Sequence, residues 1–202
     1  MTDVVAGIFV GGAASRMGGR AKGLLPSPDG PTLVERLAAI LAGLSVPFVL
    51  VGDNGAYAQL PAERIADEPP GIGPLGGLVA LLRRAGSSRA LALACDMPFV
   101  SRDLVARLCA APTVAPIVAP RRNGCWEPLC ARYDAARVLP LAEAGVAAVA
   151  QAAGHAGARS LQRLLDRAGA EPLSLSEREE RELDDWDSPD DLGARRGASI
   201  IE

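Results

Sequence analysis

Val4-Val5-Ala6-Gly7-Ile8-Phe9-Val10 runs directly into Gly11-Gly12-Ala13-Ala14-Ser15-Arg16-Met17-Gly18-Gly19-Arg20-Ala21-Lys22-Gly23. The first seven residues are apolar with no polar alternation, as in a strand of a parallel sheet covered on both faces. The stretch after them is rich in glycine and leads to a cation. An apolar strand, then glycines, then a cation is the ordinary build of a phosphate site: backbone N–H groups face the anion and the side chains neutralise it. Lys22 is the only lysine in a chain that otherwise uses arginine. Its ammonium is a compact point charge, suited to a tight backbone cradle that a guanidinium fork would overfill.

The loop is not a Walker A motif, because Gly-x-x-x-x-Gly-Lys-Ser/Thr is absent, and it is not a dinucleotide fingerprint, because Gly-x-Gly-x-x-Gly is absent. Working outward, short apolar runs alternate with longer amphipathic ones. A helix is expected over 32–44, with Thr32 as cap and Glu35 three residues on, then a strand over 46–51 closed by Gly52-Asp53-Asn54-Gly55. A short strand over 64–67 ends in Asp67. Pro69-Pro70-Gly71-Ile72-Gly73-Pro74 feeds a helix over 75–85, and a strand over 89–95 is closed by Asp96-Met97-Pro98. Ser101 opens a helix to about 110. Strands follow over 114–119 and 126–133, joined by a turn at Arg121-Arg122-Asn123-Gly124, and helices over 134–144 and 158–168. Residues 172–175 read as a last strand, 177–182 as a solvated connector or helix face, and 188–192 as a final short helix capped by Ser188. The Ala-rich stretch 146–157 reads as an insertion. This β-α alternation predicts a three-layer α/β/α sandwich with a mostly parallel, Rossmann-like sheet, forming one domain over 1–202.

The totals exclude several classes. At 202 residues the chain is long enough for one well-buried core, and a net charge of −3 gives no global field for nucleic acid or an anionic membrane. Asp3 and the lack of a basic start argue against a secretory signal, and Arg83-Arg84, Arg102 and Arg107 interrupt the apolar stretches. Cys95, Cys109, Cys125 and Cys130 form no Cys-x-x-Cys pair, and the only histidine, His155, is far from them. Buried free thiols in a reducing cytoplasm are expected rather than a zinc site.

Ligands of open parallel sheets bind at the carboxyl ends of the strands, where three groups fall. The first is the loop of Gly11 to Lys22, with Arg16 and Lys22 as its cations. The second is Asp67, which by itself reads as a strand-end turn residue. The third is Asp96, at the end of an apolar strand. A carboxylate there is costly unless hydrated, paired or metal-bound. Magnesium takes one or two carboxylates and completes its shell with water and phosphate oxygens, so Asp96 is expected to hold it.

Gly11-Gly12, Arg16-Met17-Gly18-Gly19 and Lys22-Gly23-Leu24-Leu25 resemble the signature of the molybdenum cofactor guanylyltransferase family. The resemblance continues, in the family's order, through Gly73-Pro74-Leu75-Gly76-Gly77, Cys95-Asp96-Met97-Pro98-Phe99, Glu127-Pro128-Leu129 and Asp187-Ser188-Pro189-Asp190-Asp191-Leu192. It implies a nucleotide-diphospho-sugar-transferase-like fold. It also implies transfer of GMP from GTP to molybdenum-bound molybdopterin, with release of pyrophosphate. Carried over by position, Phe9, Val10, Gly11, Lys22, Gly52 and Asp67 contact GTP. Asp96 lies beside the nucleotide and holds Mg2+, with Asp187 as a second oxygen ligand. Partners implied are GTP, molybdenum-molybdopterin and molybdoenzyme maturation proteins. The chain departs from many members in having Ala21 where they have Asp, and Gly52 where some have Asn.

The expected mechanism is in-line displacement at the α-phosphorus, with Arg16, Lys22 and Asp96 as the catalytic groups and no protein nucleophile. Rival readings are a cytidylyltransferase, a sugar-phosphate nucleotidyltransferase, or a non-catalytic nucleotide-binding adaptor. For the acceptor, Gly71 to Gly77 at a helix start, the arginines of Arg121-Arg122 and a stacking Trp126 are candidates. Surface solvation of those arginines and core burial of Trp126 are the competing outcomes.

Overall fold

A computed structural model of the chain describes residues 3–11, 21–28, 31–151 and 158–186. Among the described residues the sheet has eight strands, with β1 (Val4–Phe9) and β4 (Arg89–Ala94) at its centre. Beyond β1 lie β2 (Phe48–Val51) and the edge strand β3 (Arg64–Ile65). Beyond β4 lie β7 (Cys130–Asp134) and β5 (Ile117–Arg122), the latter bordered by β6 (Cys125–Trp126) and β8 (Glu171–Leu173). β1 pairs in parallel with both β2 and β4, for example Ala6 with Phe48 and with Leu91. β7 enters antiparallel between β4 and β5.

Because successive residues of a strand point to opposite faces and helices pack on both, alternate residues of β1 enter two different cores. Val4, Ala6, Ile8 and Val10 join the cluster under α1 (Leu33–Gly43) and α3 (Arg102–Ala110). Phe9 joins the cluster under α2 (Pro74–Ala85), α4 (Ala135–Gln151) and α5 (Ala158–Ala168). Helices therefore cover both faces, which is why the strand tolerates no polar residue. The three-layer α/β/α architecture is the one expected from the sequence. Among the described residues, no helix is long and apolar enough to cross a membrane.

Capping matches the sequence chemistry. Thr32 Oγ1 accepts from Glu35 N (3.3 Å) and the Glu35 carboxylate accepts from Thr32 N (3.0 Å), the reciprocal capping box of α1. Ser101 accepts from Leu104 N (3.2 Å) at the start of α3.

Several boundaries differ. The expected strand 126–133 is two strands, because Glu127-Pro128-Leu129 leaves the ladder. Pro128 has no N–H to donate, and both backbone groups of Trp126 are taken by the Gln162 side-chain amide (2.9 and 2.8 Å). The turn expected at residues 121–124 is tighter: β5 runs through Arg122, and only Asn123 (φ 49°) and Gly124 (φ 79°) turn the chain, as an Asn-Gly hairpin does. The strand expected from residue 114 starts at Ile117, leaving Val114 exposed. α4 continues through Gln151 despite Pro140 and Gly145, so it takes up the first part of the expected insertion at 146–157. Its packing on α2 outweighs the local cost of those two residues. Residues 177–182, expected as a solvated connector or helix face, take the helix reading as α6 (Glu177–Glu182), capped by Ser176 and Glu179, and its Glu182 carboxylate accepts from Ser101 N (3.1 Å). All four cysteines are free thiols; Cys95, Cys109 and Cys130 are buried as expected, but Cys125 is exposed on the short β6 hairpin. His155, residues 152–157 and the expected helix 188–192 lie outside the described residues.

Candidate functional site

The chain moves outward from β1 to β2 and β3 on one side and to β4 on the other. The crevice between the carboxyl ends of β1 and β4 is thus the point where the strand order switches direction, the place where open α/β sheets bind ligands. A cavity of about 280 Å³ opens there.

Its walls come from seven places in the chain, Val51 with Asn54 after β2 and Leu129 before β7 among them. Phe9, Val10 and Gly11 leave β1, and Ala94, Cys95 and Asp96 leave β4. Ala21 and Lys22 arrive from the far end of the glycine-rich loop, Asp67 from beyond β3, and Gly73 with Pro74 from the start of α2. Backbone hydrogen bonds fix the two central exits to each other and to their neighbours. Val10 N donates to Val51 O (2.9 Å), Cys95 N to Phe9 O (3.2 Å) and Ala94 N to Leu129 O (2.7 Å). The carbonyl of Asp96 accepts from Trp186 N (2.9 Å).

The central charge pair is Lys22 Nζ with Asp96 Oδ2, at 3.3 Å and with both side chains about three-quarters buried. Lys22 opens a one-turn 3-10 helix, Lys22–Leu24, and the next residue is fixed by a hydrogen bond from Gly23 N to the Tyr57 hydroxyl (3.0 Å). The start of α2 packs directly on the Asp67 segment. A Cβ at Gly76 would lie 2.6 Å from the carbonyl oxygen of Pro69. One at Gly77 would lie 2.9 Å from the Phe9 ring and 3.1 Å from Asp67 Oδ1. The paired glycines of Gly73-Pro74-Leu75-Gly76-Gly77 are therefore needed for close approach between helix and strand end, beside the cavity.

Phe9, Val10, Gly11, Lys22, Asp67 and Asp96 all line this one cavity. Gly52 does not line it; it stands behind Gly11, at φ +117°, with its Cα surface against the Gly11 backbone. Asn54, two residues on, is the lining residue from that turn, and its side chain caps Gly55–Tyr57 by accepting from Ala56 N (3.0 Å). Arg16 and Asp187 lie outside the described residues.

The acceptor-side candidates divide. Gly73 and Pro74 line the cavity. Arg121 and Arg122 do not: Arg122 is held by the Glu127 carboxylate (2.8 Å), Asp184 Oδ1 (3.1 Å) and the carbonyls of Glu180 (3.1 Å) and Leu183 (2.8 Å). Trp126 takes the core outcome, buried with its Nε1 donating to Asp166 Oδ1 (2.7 Å) and the Arg121 guanidinium over its ring. Of Glu127-Pro128-Leu129, only Leu129 reaches the cavity wall. Sequence reasoning gave Leu129 no role beyond its place in the Glu127-Pro128-Leu129 motif and missed Tyr57, whose partner Gly23 is distant in the chain.

Burial pushes the Cys95 thiol up to about 12, the neighbouring Asp96 adding to the effect, so this cavity thiol stays protonated and is not a nucleophile at neutral pH. Among the described residues no three His, Cys, Asp or Glu side chains cluster to cage a metal. The donor set suits magnesium nonetheless. One hard carboxylate oxygen source, Asp96, faces a cavity with room for water and phosphate oxygens, which is how that ion is usually held.

Asp67 is half-buried, and burial first, with repulsion from Asp53 second, raises its carboxyl above the usual carboxylate range. The folded chain therefore holds this proton more tightly than the unfolded chain. Ionisation costs stability as pH rises through the folded-state value, and the penalty is absent below the unfolded value of about 4. Asp67→Asn is expected to melt above the wild type at neutral pH, with the gain vanishing near pH 3. Paired thermal melts across that range check it; a gain that persists unchanged in acid would contradict the assignment.

Residues 6–171 match the MobA-like NTP transferase domain family. The chain is 36% identical over 194 residues to the molybdenum cofactor guanylyltransferase of Pseudomonas putida, covering 92% of this chain and 93% of that protein. It is 36% identical over 144 residues to the probable molybdenum cofactor guanylyltransferase of Chloroflexus aggregans, covering 68% and 69%. The crystal structure of molybdopterin-guanine dinucleotide biosynthesis protein A from Archaeoglobus fulgidus has the same fold, with a TM-score of 0.72, 22% identity, and coverage of 94% of this chain and 95% of that one.

Proposed function

Because the chain belongs to the MobA-like NTP transferase family, we propose that it transfers the GMP unit of GTP to a phosphate of molybdenum-bound molybdopterin. The products are the guanine dinucleotide cofactor and pyrophosphate. The observation that carries this reading is the cavity at the switch point of the sheet, where Lys22 and Asp96 meet beside Phe9, Val10, Gly11 and Asp67.

The nucleotide enters over the ends of β1 and β4. Phe9, Val10 and Gly11 support it through backbone and ring, and Asp67 accepts hydrogen bonds from it. Lys22 leaves Asp96 for the triphosphate and neutralises the charge that grows on departing pyrophosphate, with Arg16 as the second loop cation. The reacting acceptor oxygen bonds to the α-phosphorus as the bond from that phosphorus to the β-phosphate oxygen breaks. Positioning and electrostatics supply the rate, since no side-chain nucleophile is needed. Asp96, with Asp187 as a second ligand, would hold magnesium, which when bound neutralises phosphate oxygens and orients the α-phosphate. The start of α2, with Gly73 and Pro74 at the wall, directs the positive end of a twelve-residue helix at the anionic substrates.

Pyrophosphate release with molybdenum-loaded molybdopterin and magnesium tests the reading. GTP is expected to support turnover at least about tenfold better than CTP or UTP. A preference for CTP would move the assignment to the cytosine dinucleotide. Tight GTP binding without pyrophosphate would make the chain an adaptor.

A further inference from the structure

We propose that Tyr57 is a positioning residue for Lys22: it holds the backbone that follows Lys22 and acts on the nucleotide through the Lys22–Asp96 pair without touching it. The proposal rests on the nucleotide-binding reading above.

Tyr57 is 1% exposed and is not among the residues that line the cavity. Its hydroxyl accepts from Gly23 N at 3.0 Å, at the point where Gly23 packs beside Cys95. Gly23 follows Lys22, and Cys95 precedes Asp96. The phenol oxygen is thus fastened to the Lys22 arm and packed where that arm meets the Asp96 arm, one residue away from each member of the ion pair. The contact is steric as well: a Cβ at Gly23 would lie 2.8 Å from the Tyr57 hydroxyl oxygen, 3.1 Å from its ring and 3.3 Å from Cys95 Cβ. Gly23 is thereby packed down onto the phenol, which sets where the Lys22 side chain begins.

Tyr57 is itself anchored. It ends the one-turn helix Gly55–Tyr57, its N–H donates to Asn54 O (3.2 Å), and its ring sits in the core under α1 and α3. Burial keeps the phenol protonated well beyond its ordinary range, so the oxygen beside Gly23 stays neutral and accepts from its N–H. A tyrosine used only for core volume needs some partner for its hydroxyl. Here that partner is the amide after the only lysine in the chain. Without the oxygen, Gly23 N–H loses its partner, and Lys22 is released from its fixed start.

The experiment is isothermal titration of magnesium–GTP into wild type, Tyr57→Phe, Lys22→Ala and the double variant. Tyr57→Phe is expected to weaken GTP about five- to tenfold, as loss of one hydrogen bond predicts. In the Lys22→Ala background the same change is expected to matter by less than about twofold, because the cation it positions is gone. In turnover the loss should appear as a raised KM for GTP; a merely structural defect removes folded enzyme, lowering kcat and leaving KM alone. If Tyr57→Phe does not fold by circular dichroism, Gly23→Ala, which crowds the same hydroxyl, replaces it in the cycle. Equal affinities for wild type and variant, or the same factor in both backgrounds, would overturn the proposal while leaving the functional reading standing. Failure of the wild type to bind GTP, CTP or UTP would overturn the functional reading, and this inference with it.

Discussion

Asp96→Ala is expected to lower kcat/KM for nucleotidyl transfer by about 10³-fold or more, equivalent to about 4 kcal/mol of transition-state stabilisation. The carboxylate closes β4 beside the backbone of β1 and pairs with Lys22 at 3.3 Å. Its removal takes away the main metal ligand proposed for the site and the counter-charge of the loop cation together. The fold should survive. About a quarter of each side chain is open to solvent, so water can screen the ammonium left behind. The backbone bond from Trp186 N to Asp96 O does not depend on the side chain. Pyrophosphate release over a range of GTP concentrations at saturating magnesium, with thermal melts on the same samples, measures both. Asp96→Asn separates charge from shape, because it keeps an oxygen in place and should lose nearly as much activity. A variant within tenfold of wild-type turnover would remove Asp96 from the chemistry.

What the sequence revealed and what it hid follow one physical division. Val4 to Val10, Thr32 with Glu35, and Ser101 announce themselves because strand burial and helix capping are decided within a few residues of the group concerned. Lys22 and Asp96 were visible for a related reason, whereas Asp67 reads by itself as a strand-end turn residue and joined them only through the family resemblance. Each stands at the end of an apolar run or in a glycine loop, and parallel topology then brings strand ends together at one edge. Tyr57 was hidden because its partner Gly23 is 34 residues away and its own segment is polar turn sequence. The break after Trp126 was hidden because Gln162, 36 residues on, supplies the hydrogen bonds a neighbouring strand would have made. α4 ran past Gly145 because contact with α2, absent from any local window, stabilises it.

Gly52 was assigned to the nucleotide by position, and its geometry gives it a different and testable importance. Gly52→Ala is expected to destabilise the chain by about 3 kcal/mol and to weaken GTP binding by more than tenfold. Two separate costs produce the first figure. At φ +117° an L-residue is strained by about 1–2 kcal/mol. The new Cβ would also lie 2.7 Å from Gly11 N and 2.8 Å from Gly11 Cα, backbone atoms that no rotamer change can move aside, an overpacking of about 1–3 kcal/mol. The chain can relieve the second cost only by pushing Gly11 toward the cavity it lines, which couples stability to binding. Gly55→Ala is the stability control, since a Cβ there meets nothing within 4 Å and the residue is not among those with positive φ. It should stay within about 0.5 kcal/mol of wild type. Urea unfolding of both variants, with titration of magnesium–GTP into Gly52→Ala, decides the matter. Equal midpoints for the two would mean that the β1 exit does not depend on the close approach of Gly52. Destabilisation with unchanged affinity would mean that Gly11 can move without cost to the nucleotide, and would remove it from the phosphate cradle.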